Sequence, residues 1–397
     1  MIAGAFPARA FGCVLIVVLA TAWAGVAHAQ SRLPTELISR ACAAMKTDTR
    51  ARSGTPRAAF KRASICDPAR VNARPIAART IADAAPSNGA LVARQRLADN
   101  GVIALDIVSY ASSGLVVGGL LCYPDDAQPH STVIHVPGGA GGVFNGVAGD
   151  MVQTCIDWAA FHGRTAFAPS LRGNDGGEGA PELCLGEADD VTAAAMMLRT
   201  LDVVDGSRMG LVGGSIGGCV VLRAAPYIPN LSAVVAFVPP TSWKDLIAYH
   251  RTRWQPAVEL ACNGEQREWA IGGPALADAL ESVICGHAAC SEAEFLARSP
   301  LPLIQVQTAP TLIVSAELDN VVPLDQQLLW SLFRQGTGHP VSVVSVDPCD
   351  PPGTPPLTTD VHVLARRSFH LLSAGPISSG MLFLMAHLDR AGPTGAR

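Results

Sequence analysis

The segment Gly213-Gly214-Ser215-Ile216-Gly217 places a hydroxyl among glycines, between the apolar run Met209-Gly210-Leu211-Val212 and the helix-forming stretch Val220–Ala225. G-x-S-x-G in a strand–turn–helix setting is the pattern of a nucleophile elbow, although a glycine-rich turn without chemistry has the same letters. Small residues two positions either side of the serine let strand and helix pass close together while the turn itself is strained. The hydroxyl then stands at a helix N-terminus, which favours developing negative charge. A serine alone is a weak nucleophile. It needs a general base, and a carboxylate must orient that base. In this arrangement the acid and the histidine follow the serine along the chain. Pro310–Ala316 predicts a strand, and Asp319 lies just beyond its carboxyl end, where open α/β sheets put functional groups. Glu317 is the rival, and Asp319 also fits a turn-former or helix cap.

The base must come from the histidines after Asp319. His339 precedes the strand-like run Val341–Val346 and so lies at the wrong end of a sheet. His387 sits within Ser378–Leu388, an apolar helix. His362 and His370 remain, both expected in a loop between the last strand and that helix, from which an imidazole can reach back over the serine. His370 is the first choice and His362 the alternative. An oxyanion hole needs two preorganised N–H groups. Ile216, after the nucleophile, supplies one. Gly139 or Ala140, in the loop Pro137-Gly138-Gly139-Ala140-Gly141-Gly142, supplies the other. That loop has neither the G-K-[ST] of a phosphate loop nor dinucleotide-binding spacing, so no cofactor is expected.

These groups need a scaffold. Strand-like runs at Thr132–Val136, Thr165–Ala168, Met209–Val212, Ala233–Val238, Thr311–Ser315 and Val341–Val346 alternate with helical stretches, which predicts a mostly parallel sheet covered on both faces. Ahead of them, Val102–Tyr110 and Leu115–Tyr123 read as an antiparallel hairpin at one edge. Between about 240 and 306 the rhythm breaks, and the segment reads as a helical cap over the site or as a long surface excursion. Residues 30–95 read as a polar lead-in with one helix, Leu33–Met45, interrupted afterwards by Pro56, Pro68, Pro75 and Pro86. The hydrolytic domain is expected over 96–397.

Residues 1–29 have the form of an export signal: Arg9, the apolar run Phe11–Val26 and the cleavage pattern Ala27-His28-Ala29. The expected location is secreted or periplasmic, with a retained anchor as the alternative and no membrane span in the mature chain. Of the 11 cysteines, only Cys13 falls in the leader. The even remainder suggests disulfides: Cys42–Cys66, and one pair among Cys262, Cys285 and Cys290. Cys219 reads as a buried free thiol. No metal is expected, because Cys285, His287 and Cys290 match no common zinc spacing and Asn174, Asp175 and Glu178 do not space as a calcium loop. Arg172 is expected to brace its loop against Glu187 or Asp189. A net charge of -4 without a basic stripe argues against nucleic acid as a partner.

Together the segments Ser113–Leu121 with Pro124, Gly138–Gly142, Arg172-Gly173, Ser215 in its elbow and Asp319…Val322-Pro323 resemble the α/β-hydrolase fold, in particular its prolyl-oligopeptidase-like and related esterase branch. Pro137 stands where many members carry histidine, and the final histidine lacks a Gly-His signature. The resemblance implies a Ser-Asp-His triad working through an acyl-serine on a small-molecule ester, without a cofactor. Peptidases of that branch usually carry a large β-propeller, and residues 30–95 are Pro-broken rather than β-periodic, which favours esters. A secreted serine peptidase is the alternative, and a non-catalytic binding protein on the same fold the alternative of another class. Trp243, Tyr249 and Trp254 are expected to line an acyl pocket or to form the cap's own core.

Overall fold

A computed structural model describes residues 35–47, 61–62, 87–139, 149–260, 266–286, 290–347, 360–368 and 374–390. The leader, Cys66, Cys262, Ala140 and His370 lie outside the described residues.

The strands are β1 (Lys61–Arg62), β2 (Leu91–Asp99), β3 (Ile103–Ser112), β4 (Leu115–Pro124), β5 (His130–Val136), β6 (Thr165–Ser170), β7 (Val204–Gly214), β8 (Leu231–Phe237), β9 (Ala257–Leu260), β10 (Gln266–Trp269), β11 (Thr311–Ala316), β12 (Val341–Val346) and β13 (Asp360–Ala365). Among the described residues, 11 of them form one sheet in the order β1-β2-β3-β4-β6-β5-β7-β8-β11-β13-β12. From β6 to β12 every neighbouring pair is parallel. The antiparallel strands β1 to β4 extend one edge.

The helices are α1 (Thr35–Thr47), α2 (Gly149–His162), α3 (Gly186–Leu198), α4 (Ile216–Ala224), α5 (Trp243–Thr252), α6 (Pro274–Cys285), α7 (Glu292–Arg298), α8 (Asp325–Gly336) and α9 (Ala374–Asp389). Both faces of the sheet are covered, which is why the central strands are apolar at consecutive positions rather than alternating. Leu211 and Val212 of β7 show this. Leu211 packs in the cluster containing Val191, Val220 and Val221 from α3 and α4. Val212 points the other way, into the cluster with Trp158, Phe383 and Leu384 from α2 and α9.

The mostly parallel sheet, its flanking helices and the edge hairpin are as the sequence predicts. Three elements are not. β2 crosses the expected boundary at 95 and pairs along β3. β13 occupies a stretch read as loop and inserts between β11 and β12. The segment between β8 and β11 holds α5, α6 and α7 as expected of a helical insertion, but also the small antiparallel hairpin β9–β10. The first helix is described over Thr35–Thr47, overlapping the predicted Leu33–Met45, and packs on the body, with Leu37 N–H donating to Asp175 O at 3.2 Å.

Disulfides join Cys122 to Cys155, Cys184 to Cys219 and Cys285 to Cys290. Cys285–Cys290 is one of the pairings the spacing allowed, and it removes those sulfurs from any zinc reading. Cys42 is also disulfide-bonded. Cys219 corrects the free-thiol expectation: on α4 it faces the loop before α3, and the oxidised pair replaces a buried thiol. No helix among the described residues is long and apolar enough to cross a membrane.

Candidate active site

Ser215 joins β7 to α4 with φ 53° and ψ -124°. A non-glycine residue held there costs about 1–3 kcal/mol and persists only where its surroundings determine it. Its N–H donates to Phe237 O at 2.8 Å, and its own C=O accepts from Cys219 N–H at 3.2 Å. Both glycines two positions away are needed for space. A Cβ on Gly213 would lie 2.3 Å from Gly217 O, and one on Gly217 would lie 2.5 Å from both Val136 O and Pro137 O. The obstructing atoms are all backbone, so no rotamer change relieves them. Gly213→Ala is therefore expected to lower stability by about 1–3 kcal/mol. Chemical denaturation measures this, and wild-type stability in the variant would contradict the close passage.

The loop after β5 lies against this turn. A Cβ on Gly138 would stand 2.8 Å from Gly214 O and 3.5 Å from Ser215 Cβ. Gly139 follows with φ 114°, open to glycine and strained for other residues. Ile216 is the first residue of α4, where backbone N–H groups lack intrahelical partners. The two expected sources of oxyanion donors thus flank Ser215, with Ala140 outside the described residues.

Asp319 is buried in the turn between β11 and α8. Its Oδ1 accepts from Val321 N–H and Val322 N–H, both at 2.8 Å. Tyr249 and His250 of α5 both respond to it. The Tyr249 phenol is pushed up by burial and then by the Asp319 charge. The His250 imidazole is pushed down by burial, against a smaller upward pull that includes Asp319. Glu317, the rival acid, instead accepts from Arg367 N–H at 2.8 Å and pairs with Arg366 at 3.3 Å.

His362 is not in a loop. It lies inside β13, 1% exposed. One ring nitrogen meets Ser315 Oγ at 2.6 Å, the other Ser331 Oγ at 2.8 Å. Burial lowers its pKa to about 4. With both nitrogens engaged within the core, it is a structural group and is set aside as the base. The same strand carries the chain toward His370: Ser368 O accepts from Leu318 N–H at 2.9 Å, one residue from Asp319. His387 is buried on α9, with Nδ1 against Phe383 O at 2.9 Å.

The three insertion aromatics separate. Trp243 is 1% exposed, with Nε1 donating to Arg298 O at 3.2 Å, so it is core and not pocket lining. Trp254 lies against Gly272 and Gly273, where a Cβ on Gly272 would come within 2.0 Å of its Nε1. Tyr249 is half-buried, with the Arg253 guanidinium 5.3 Å from its ring centroid. Arg172 also departs from expectation. It grips Asp190 through Nε at 3.1 Å and Nη2 at 2.9 Å, and Glu182 through Nη1 at 2.9 Å. Glu187 instead accepts from Glu182 N–H at 2.7 Å, and Asp189 accepts from Ser113 Oγ at 3.1 Å. Asn174, Asp175 and Glu178 serve separate partners: Leu171 O, Ser170 Oγ and Val116 N–H.

No protein-family profile matches the chain. The uncharacterized peptidase YtmA of Bacillus subtilis (strain 168) is 25% identical over 227 residues, covering 57% of this chain and 78% of that protein. An acylaminoacyl peptidase of Pyrococcus horikoshii superposes with TM-score 0.50 at 16% identity, over 73% of this chain and 42% of that one, so the chain spans less than half of that peptidase's length. An acetyl xylan esterase from Paenibacillus sp. R4 superposes with TM-score 0.50 at 16% identity, over 74% of this chain and 88% of that one. With its parallel sheet, the strained turn at Ser215 and these neighbours, the chain has the α/β-hydrolase fold.

Proposed function

We propose that the protein is an exported serine hydrolase that cleaves small carboxylic esters. Ser215 Oγ attacks the acyl carbon while His370 takes its proton. Asp319 holds the imidazole and stabilises its charged form. Ile216 N–H and the N–H of Gly139 or Ala140 take the oxyanion, and water then releases the acid from the acyl-enzyme. The carrying observation is the shared edge. Ser215 leaves β7, Asp319 leaves β11, and the chain leaving β13 passes Leu318 two residues before His370. Each group thus follows the carboxyl end of a strand in one parallel sheet, where such folds build their sites.

The ester reading is supported by the 88% share of the acetyl xylan esterase that this chain matches, against 42% of the acylaminoacyl peptidase. Tyr249, beside the acid, is the insertion aromatic best situated to touch an acyl group. Export is supported by three disulfides, which persist in oxidising compartments. A second reading, hydrolysis of small peptides or amides, is favoured by the 227-residue match to a peptidase.

A fluorophosphonate probe followed by p-nitrophenyl esters and peptide anilides of graded length separates these readings. Labelling together with turnover of short esters is the expected result. Anilide turnover without ester turnover would install the peptidase. Absence of both labelling and turnover would leave a binding protein on the hydrolase fold.

A further inference from the structure

The insertion's first helix bears on the acid loop rather than standing apart from it. Gln326 Oε1, at the start of α8, accepts from Thr241 N–H and Ser242 N–H, both at 2.9 Å, at the entrance to α5. Asn320 Nδ2 donates to Gln255 O at 3.1 Å, just past α5. Between these contacts sits His250, 1% exposed.

Its two nitrogens have assigned roles. Gly273 N–H, at the N-cap of α6, reaches Nδ1 at 3.2 Å. An N–H can only donate, so Nδ1 carries a lone pair and the ring proton is on Nε2. Nε2–H then donates to Val321 O at 2.9 Å. Val321 is the residue whose own N–H donates to Asp319 Oδ1 at 2.8 Å. Gly273 lies against the Trp254 indole, two of whose ring atoms would lie 3.0–3.2 Å from a Cβ at that position. Burial lowers the imidazole's pKa, toward the neutral form that this pair of bonds requires.

We propose that His250 is a positioning residue for the catalytic acid: as a neutral imidazole with its proton on Nε2, it fixes the planar Val321–Val322 peptide and, through the Val322 N–H that donates to Asp319 Oδ1 at 2.8 Å, the Asp319 carboxylate. The proposal rests on the reading of Asp319 as the acid of the triad. It makes the insertion a structural part of the catalytic machinery, tied to the acid loop through His250, Asn320 and Gln326.

The test compares His250→Leu, His250→Gln and His250→Asn with wild type on p-nitrophenyl acetate, measuring kcat and KM across pH. Gln retains a donor near the Nε2 position, Asn retains only a group near Nδ1, and Leu retains neither. His250→Leu and His250→Asn should lose on the order of 10- to 100-fold in kcat, the scale of a small misplacement of a catalytic group, with a smaller change in KM. Their acidic limb of kcat/KM should move to lower pH, because a displaced carboxylate raises the pKa of the base less. His250→Gln should retain most of the wild-type kcat.

A merely structural role would lower thermal stability and leave the acidic limb in place, which overturns the proposal. So does an Asn variant that outperforms the Gln variant, a comparison that stands even if His250→Leu fails to fold. Asp319→Asn separates the levels. Wild-type kcat in that variant removes the acid assignment and the proposal with it. A disabled Asp319→Asn beside a fully active His250→Leu removes the proposal alone.

Discussion

Replacing Ser215 with alanine is expected to lower kcat by on the order of 10⁵- to 10⁶-fold, with fluorophosphonate labelling lost. No other group at the turn replaces the hydroxyl, because its neighbours are glycines and Ile216. Residual turnover above water would report the oxyanion donors and binding alone. Ser215→Gly separates chemistry from strain. The native φ of 53° is open to glycine, whereas alanine inherits the penalty. The glycine variant should be as inactive as the alanine variant and more stable than it by about 1 kcal/mol, less what glycine's extra freedom costs in the unfolded chain. Denaturant melts of the two variants measure the difference. Retained esterase activity in either would remove Ser215 as the nucleophile.

The second expected result is an opposition between two histidines. His370→Ala should cost on the order of 10³- to 10⁴-fold or more in kcat and little in stability. His362→Ala should do the reverse. It leaves Ser315 and Ser331 with one fewer partner in the core, at about 1–3 kcal/mol for an unsatisfied buried group. The pH dependence of stability gives an independent reading. The folded-state pKa of His362 is lowered to about 4, so between the ordinary histidine value and that pH the unfolded chain binds a proton that the folded one refuses. Stability attributable to His362 is thus intact above the ordinary value and falls as pH drops toward 4. His250 and His162, also lowered by burial, act in the same direction. The His362 share is therefore the part of the acid-side slope that His362→Gln removes. Loss of turnover in His362→Ala with full stability would reverse the two assignments.

The turn around Ser215 and the loop carrying Asp319 were legible in the sequence because local chemistry marks them. The glycines around Ser215 answer a steric demand that the backbone contacts reproduce. Asp319 follows a strand whose apolar run is unambiguous. The placement of His362 was harder to read because β13 is concealed. Asp360-Val361-His362-Val363-Leu364-Ala365 carries a buried acid and a buried histidine, so it lacks the continuous apolar run of its neighbours. Those polar groups are affordable only through distant partners: Arg334 for Asp360 at 2.6 Å, and the two serines for His362. Arg172 misled for a related reason. Asp189 and Asp190 are adjacent, and only the phase of α3 decides that Asp190 turns inward. The disulfide at Cys219 was invisible because Cys184 reaches it across a loop whose path no local pattern predicts.

That bridge ties the helix following Ser215 to the segment that Arg172 anchors. A nascent polypeptide kept among cytosolic reductants would leave the helix that follows Ser215 without its sulfur brace. On the proposed reading of Ser215, oxidative maturation is part of building the catalytic centre, and reduction of the bridge is expected to lower specific activity.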